Sequence, residues 1–133
     1  MIHRPPTRRL VLVSGLGLVA GPALAQFGRV TQARLRIVKS GIEADGTRVA
    51  GVQVTLQPGW KTYWRHPGDS GIAPAFDWSR SDNLRSASVS FPAPERIADP
   101  GGDILGFRRE VVFPVRATPV DPARPVMLRL DMT

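Results

Sequence analysis

Apolar residues in this chain recur at every second position and not at every third or fourth, which excludes most folds open to 133 residues. Ala33, Leu35 and Ile37 alternate with Arg34 and Arg36. Val52, Val54 and Leu56 alternate with Gln53 and Thr55, and Ala87, Val89 and Phe91 with serines. Val111, Phe113 and Val115 share one face of a further run, and Val126, Leu128 and Leu130 form the last. Successive side chains of a strand point to opposite faces, so each run can bury one face and wet the other. Turn residues punctuate the runs: Asp45-Gly46 between Glu43 and Thr47, Pro58-Gly59, and the rigid stretch Pro119 to Pro125. A short segment, Ala75 to Trp78, lies between Pro74 and Ser79. These runs predict about seven short strands and an all-β, immunoglobulin-like β-sandwich, with a small β-barrel as the alternative. No internal repeat, low-complexity tract or second domain stands out.

The amino-terminal end has a different character. Arg4, Arg8 and Arg9 precede an apolar run from Leu10 to Ala20, and Ala23-Leu24-Ala25 ends in a small-x-small pattern before Gln26. This is the pattern of a secretory signal peptide over residues 1–25, and the apolar run is too short for a membrane span. Thr7-Arg8-Arg9-Leu10 carries a faint twin-arginine pattern, but adjacent arginines are common in ordinary signals. The whole chain has 18 basic and 11 acidic residues. Removing the signal takes three arginines and no acid, leaving a net charge of +4 without a block of like charge. A nucleic-acid binder shows a clustered basic stripe, so no nucleic-acid partner is expected. The chain has no cysteine, which excludes cysteine nucleophiles, thiol exchange and thiolate metal ligands within it. A domain of this size can bury a core without disulfides.

The densest chemistry lies at residues 59–71, which hold two of three tryptophans and the single tyrosine. Trp60, Thr62 and Trp64 fall on one face of a short strand, with Lys61, Tyr63 and Arg65 on the other. Pro67, Gly68 and Gly71 then impose a tight loop. Further on, Pro92 to Arg109 reads as a long connection with Ile97, Ile104, Leu105 and Phe107 set among glycines and prolines, either a flap or a loop folded onto the sandwich edge. His66, Asp69 and Ser70 are the residue types of a hydrolase triad, but triads are assembled from separated segments, and Asp69 and Ser70 suit local turn hydrogen bonds better. His66 is the single histidine after the signal, and Asp99 and Asp103 do not follow a calcium-loop pattern. No catalytic residue, metal site or cofactor is expected.

The run Gly59-Trp60-Lys61-Thr62-Tyr63-Trp64-Arg65-His66-Pro67-Gly68-Asp69-Ser70-Gly71 resembles a segment of the amino-terminal periplasmic domain of DsbD/ScsB-type thiol:disulfide interchange proteins. The likeness continues through Pro74, Phe76, Asp77 and Trp78, Phe91-Pro92-Ala93-Pro94, Gly106-Phe107 and Glu110 to Val115. It implies an immunoglobulin-like fold, a periplasmic location, and partners of two kinds: periplasmic thiol-disulfide proteins and a membrane-embedded redox domain. In that family a cysteine pair passes reducing equivalents between them and is shielded by a cap loop. Asp99 to Arg109 resembles the cap loop, with Ile104, Leu105, Gly106 and Phe107 as the shielding, partner-facing residues. Gly59, Trp60, Tyr63, Trp64, Pro67, Gly68, Asp69, Gly71 and Trp78 are then scaffold, with Trp60 and Trp64 packing the sandwich.

The resemblance also implies a cysteine pair just beyond a strand like Val126 to Met132, and this sequence ends at Thr133. The expectation is a redox-silent amino-terminal part of a protein-disulfide reductase, with residues 26–133 forming a sandwich incomplete at its C-terminal end. The alternative is an exported β-sandwich binding module that recognises a protein or glycan through surface aromatics.

Overall fold

The computed structural model describes residues 32–133. The signal peptide expected over residues 1–25 lies outside the described residues. All regular structure among those described is β, in nine strands: β1 (Ala33–Ile42), β2 (Arg48–Leu56), β3 (Lys61–Gly68), β4 (Phe76–Asp77), β5 (Leu84–Val89), β6 (Glu95–Asp99), β7 (Gly102–Arg108), β8 (Glu110–Pro119) and β9 (Asp131–Met132). They form a four-stranded sheet in the order β1-β2-β8-β5, a three-stranded sheet β3-β7-β6, and the pair β4-β9. Every pairing is antiparallel and none of the sheets closes into a barrel.

The alternation read from the sequence places the four-stranded sheet's inner face. Leu35 pairs with Val54, Ile37 with Val52, Val52 with Phe113 and Val54 with Val111, so these apolar side chains share one face. Strand β8 alternates buried and exposed along its whole length, as a sheet with one wet face requires. Its Phe113 is fully buried and is met edge-on by Phe76, Phe91 and Phe107 at centroid distances of 5.3, 5.1 and 5.7 Å. Edge-to-face pairs place a ring's positive edge on its neighbour's negative face, worth about 0.5–1.5 kcal/mol each beyond area burial. Phenylalanines therefore form the centre of the core, and Trp64 and Trp78 pack half-buried around it.

The β1–β2 turn forms as its Asp45-Gly46 predicts. Gly46 N–H donates to the Glu43 carbonyl at 2.9 Å, Glu43 N–H to Thr47 O at 2.8 Å, and Thr47 N–H to Asp45 Oδ1 at 2.9 Å. Three expectations are corrected. The connection from Pro92 to Arg109 is not an irregular loop: β6 and β7 pair from Glu95↔Gly106 to Asp99↔Gly102, with Pro100-Gly101 as the turn. Trp60 does not pack the sandwich. It precedes β3, is held in the turn by its N–H donating to Gln57 O at 3.0 Å, and is 43% exposed. The last expected strand, Val126 to Leu130, contributes one bridge, Asp82↔Met127, before the two-residue β9.

Candidate functional site

The signature loop and the β6–β7 hairpin are one unit. Strand β3 pairs with β7 at Lys61↔Arg108, Thr62↔Phe107 and Tyr63↔Gly106, then bulges, and pairing resumes at Gly68↔Ile104. The bulge accommodates Trp64 to Pro67, and the loop beyond Gly68 comes to lie against the hairpin turn. There Asp69 N–H donates to the Asp103 carbonyl at 3.1 Å, while Asp69 Oδ2 accepts from Asp103 N–H at 2.9 Å. Both backbone groups of Asp103 are thus satisfied by one residue 34 positions away.

Two glycines make that approach possible. Gly68 has φ +95°, and a Cβ there would sit 2.7 Å from the Asp103 carbonyl oxygen. Gly102 has φ +121°, and a Cβ there would sit 2.6 Å from Asp69 Oδ2. Any L side chain at either position would both strain the backbone and break the loop–hairpin contact. The Lys61–Asp99 ion pair ties β3 to the hairpin, and Arg96 with Asp103 and Arg108 with Glu95 link β6 to β7 within it, the Glu95 carboxylate also accepting from Arg108 N–H at 2.9 Å. Hydrogen bonding from Arg108 holds the Glu95 carboxyl below the usual carboxylate range.

The candidate cap-loop residues sit on β7. Ile104, Gly106 and Phe107 are buried, and Leu105 is half-buried. Ile104 and Phe107 stand on opposite faces of β7, Phe107 in the core and Ile104 beside its pair partner Ile97, and the exposed part of the hairpin is its turn, Pro100-Gly101. Among the scaffold residues, the Tyr63 ring fills the space beside Gly71, Pro67 lies in the bulge, Gly59 takes φ +83° in the β2–β3 turn, and Trp78 packs on the core. Trp64 carries the Arg65 guanidinium 4.7 Å above its ring and His66 edge-on at 5.7 Å.

Those contacts dispose of a hydrolase reading. His66 is turned to Trp64 and the Asp69 carboxylate is committed to Asp103 N–H, so no Ser–His–Asp relay is assembled. Asp69 does shape a turn, but the hairpin's and not its own. Among the described residues no group of three or more His, Asp or Glu side chains could hold a metal ion, and no helix is long and apolar enough to cross a membrane.

The model of the family described as thiol:disulfide interchange protein DsbD, N-terminal, matches residues 29–133. This chain belongs to that family. The DsbD N-terminal match covers the signature loop, the hairpin and the core in full. The chain is also similar to the crystal structure of the N-terminal periplasmic domain of ScsB from Proteus mirabilis, with a TM-score of 0.59 at 27% identity. That likeness covers 77% of this chain and 45% of the other, so this chain spans under half of the solved one. No curated protein sequence matches it. The immunoglobulin-like sandwich is the fold of this DsbD N-terminal relative, in agreement with the strand pattern.

Two features of the site were not anticipated. Arg109 joins β7 to β8, and so the three-stranded to the four-stranded sheet, as a single residue with φ +66°. It lines an open cleft with Trp60, Gln57, Glu95 and Arg108. Asn83, buried with φ +56°, donates its Nδ2 hydrogens towards the carbonyls of Asp121, Arg124 and Pro125 and accepts from Asp121 N–H at 2.8 Å. An asparagine after Ser81-Asp82 carries no sequence signal for either role beyond its tolerance of positive φ.

Proposed function

We propose that this chain serves as the periplasmic amino-terminal module of a thiol:disulfide interchange system, and that it is redox-silent in itself. The observation that carries the reading is a family match over residues 29–133 in a chain without cysteine. Disulfide exchange begins with a thiolate attacking a disulfide sulfur, and no other side chain does this. Recognition and shielding are what the fold still offers. The latched β6–β7 hairpin is the surface for periplasmic thiol-disulfide proteins and for a membrane-embedded redox domain, with the exposed turn at Pro100-Gly101 in contact and the segment Ile104 to Phe107 behind it. The signal-like residues 1–25 and the periplasmic ScsB domain support export to the periplasm.

Titrating the full chain with an oxidised periplasmic thioredoxin-fold protein tests this by backbone NMR. Saturable shifts centred on residues 99–108 are expected, with insulin reduction by dithiothreitol no faster than the blank. Reduction above the blank would refute redox silence, and shifts confined to the Trp60 cleft would favour the second reading. That reading, an exported module binding through surface aromatics, is favoured by one observation: Trp60 is exposed beside Arg108 and Arg109. Trp60→Ala would then abolish binding with the fold retained.

A further inference from the structure

Strand β1 is the edge of the four-stranded sheet, and among the described residues nothing pairs with its outer side. It is ten residues long and regular from Ala33 to Lys39, with an irregularity only between Lys39 and Gly41. Its two faces differ in chemistry. On the inner face Leu35 sits opposite Val54 yet is 46% exposed, because the second layer stops short of the edge. Beside it opens a groove of about 400 Å³ whose wall includes Tyr63, Ile72 and Met132, with Ile72 85% exposed. On the outer face stand Arg34 and Arg36, and neither forms an ion pair with a described residue. Glu110, the outer-face acid of β8, lies two strands from Arg34, through Thr55.

We propose that the β1 edge is a docking site for an extended segment of another protein in which apolar and acidic residues alternate. A strand added to an edge satisfies the open backbone groups and sends its side chains alternately to the two faces. One set would enter the groove beside Leu35 and Ile72, and the other would meet Arg34 and Arg36. A second copy of this chain is disfavoured as occupant. Pairing β1 with β1 brings four arginines together along one face, the arrangement by which sheet edges resist self-association.

The test uses the full chain and three synthetic peptides as long as β1. One alternates glutamate and valine, one alternates lysine and valine, and one carries the glutamates and valines in two blocks. Only the alternating glutamate–valine peptide is expected to bind saturably and to slow hydrogen exchange at those β1 amides that face away from β2. Reversing both charges, Arg34→Glu with Arg36→Glu, should weaken it at least about tenfold. These side chains are exposed, so the variant keeps its fold, which circular dichroism checks. Leu35→Asp should weaken it independently. Equal binding of the blocked or the lysine peptide overturns the proposal. So does protection of the same amides in the free chain, which would mean that the chain's own residues before Gln32, or a second copy, already fill the edge.

Discussion

Asn83 shows how much one polar side chain can hold when its environment leaves it no alternative. Its side-chain amide ties together the carbonyls of Asp121, Arg124 and Pro125 and the N–H of Asp121, and its main-chain carbonyl accepts from Val120 N–H at 3.2 Å. Removing such a residue leaves several half-buried partners unsatisfied, at about 1–3 kcal/mol for a lost buried bond. Asn83→Ala is expected to lower stability by about 3 kcal/mol in urea titration, and Asn83→Asp by a similar amount because the donors are gone. Arg109 offers the opposite sign. An L residue at φ +66° is strained where glycine is not, so Arg109→Gly should be neutral or stabilising in thermal unfolding. Trp60 makes a third case. Parity alone places it with Thr62 and Trp64, but the turn hydrogen bond to Gln57 takes it out of the strand, and parity has no meaning beyond a strand's end.

At the scale of elements, the β6–β7 hairpin depends on the latch from Asp69. Asp69→Ala removes the acceptor for Asp103 N–H, while Lys61–Asp99 and the β3–β7 ladder remain. The expected result is faster hydrogen exchange at Asp103 and Gly102, with the midpoint of global unfolding almost unchanged; a large drop in that midpoint would show that the latch belongs to the cooperative core. Strands β1, β2, β5 and β8 could be read from their alternation because each turns its apolar side chains to one face of the sheet. The hairpin could not. Glu95–Asp99 buries only Ile97, and Gly102–Arg108 mixes two glycines with Ile104 and Phe107 buried on opposite faces, so neither shows a clean period of two. The hairpin is tied to the rest of the chain by Asp69 and Lys61, more than thirty residues earlier, and such contacts leave no local pattern. The same distance hid the site's organisation: Gly68 and Asp69 were legible as a loop, but not what the loop holds.

For the whole molecule, stability rests on the phenylalanine cluster between the sheets. Phe113→Ala should cost about 3–5 kcal/mol, enough to unfold much of the population at physiological temperature. Three exposed carboxylates contribute to stability towards acid. Asp45 and Asp77 are held below their ordinary value of 3.8, chiefly by backbone hydrogen bonds from Thr47 and Ser79, and Glu95 below 4.5 by Arg108. A folded-state pKa below the unfolded one means that these groups favour folding above the ordinary carboxylate range and lose that contribution as pH falls through and below it. The melting temperature should therefore fall between about pH 5 and pH 2, and less steeply in Asp45→Asn and Asp77→Asn chains. The single-residue corner at Arg109 has a consequence for how such a domain can diversify. Register in the four-stranded sheet is set by β8, which follows the corner, pairing with β2 and β5, while the hairpin turn at Pro100-Gly101 lies between β6 and β7 and outside that sheet. Residues inserted at that turn would lengthen the hairpin without sliding a single core pair, so the domain can acquire a longer reach while its interior keeps the same partners.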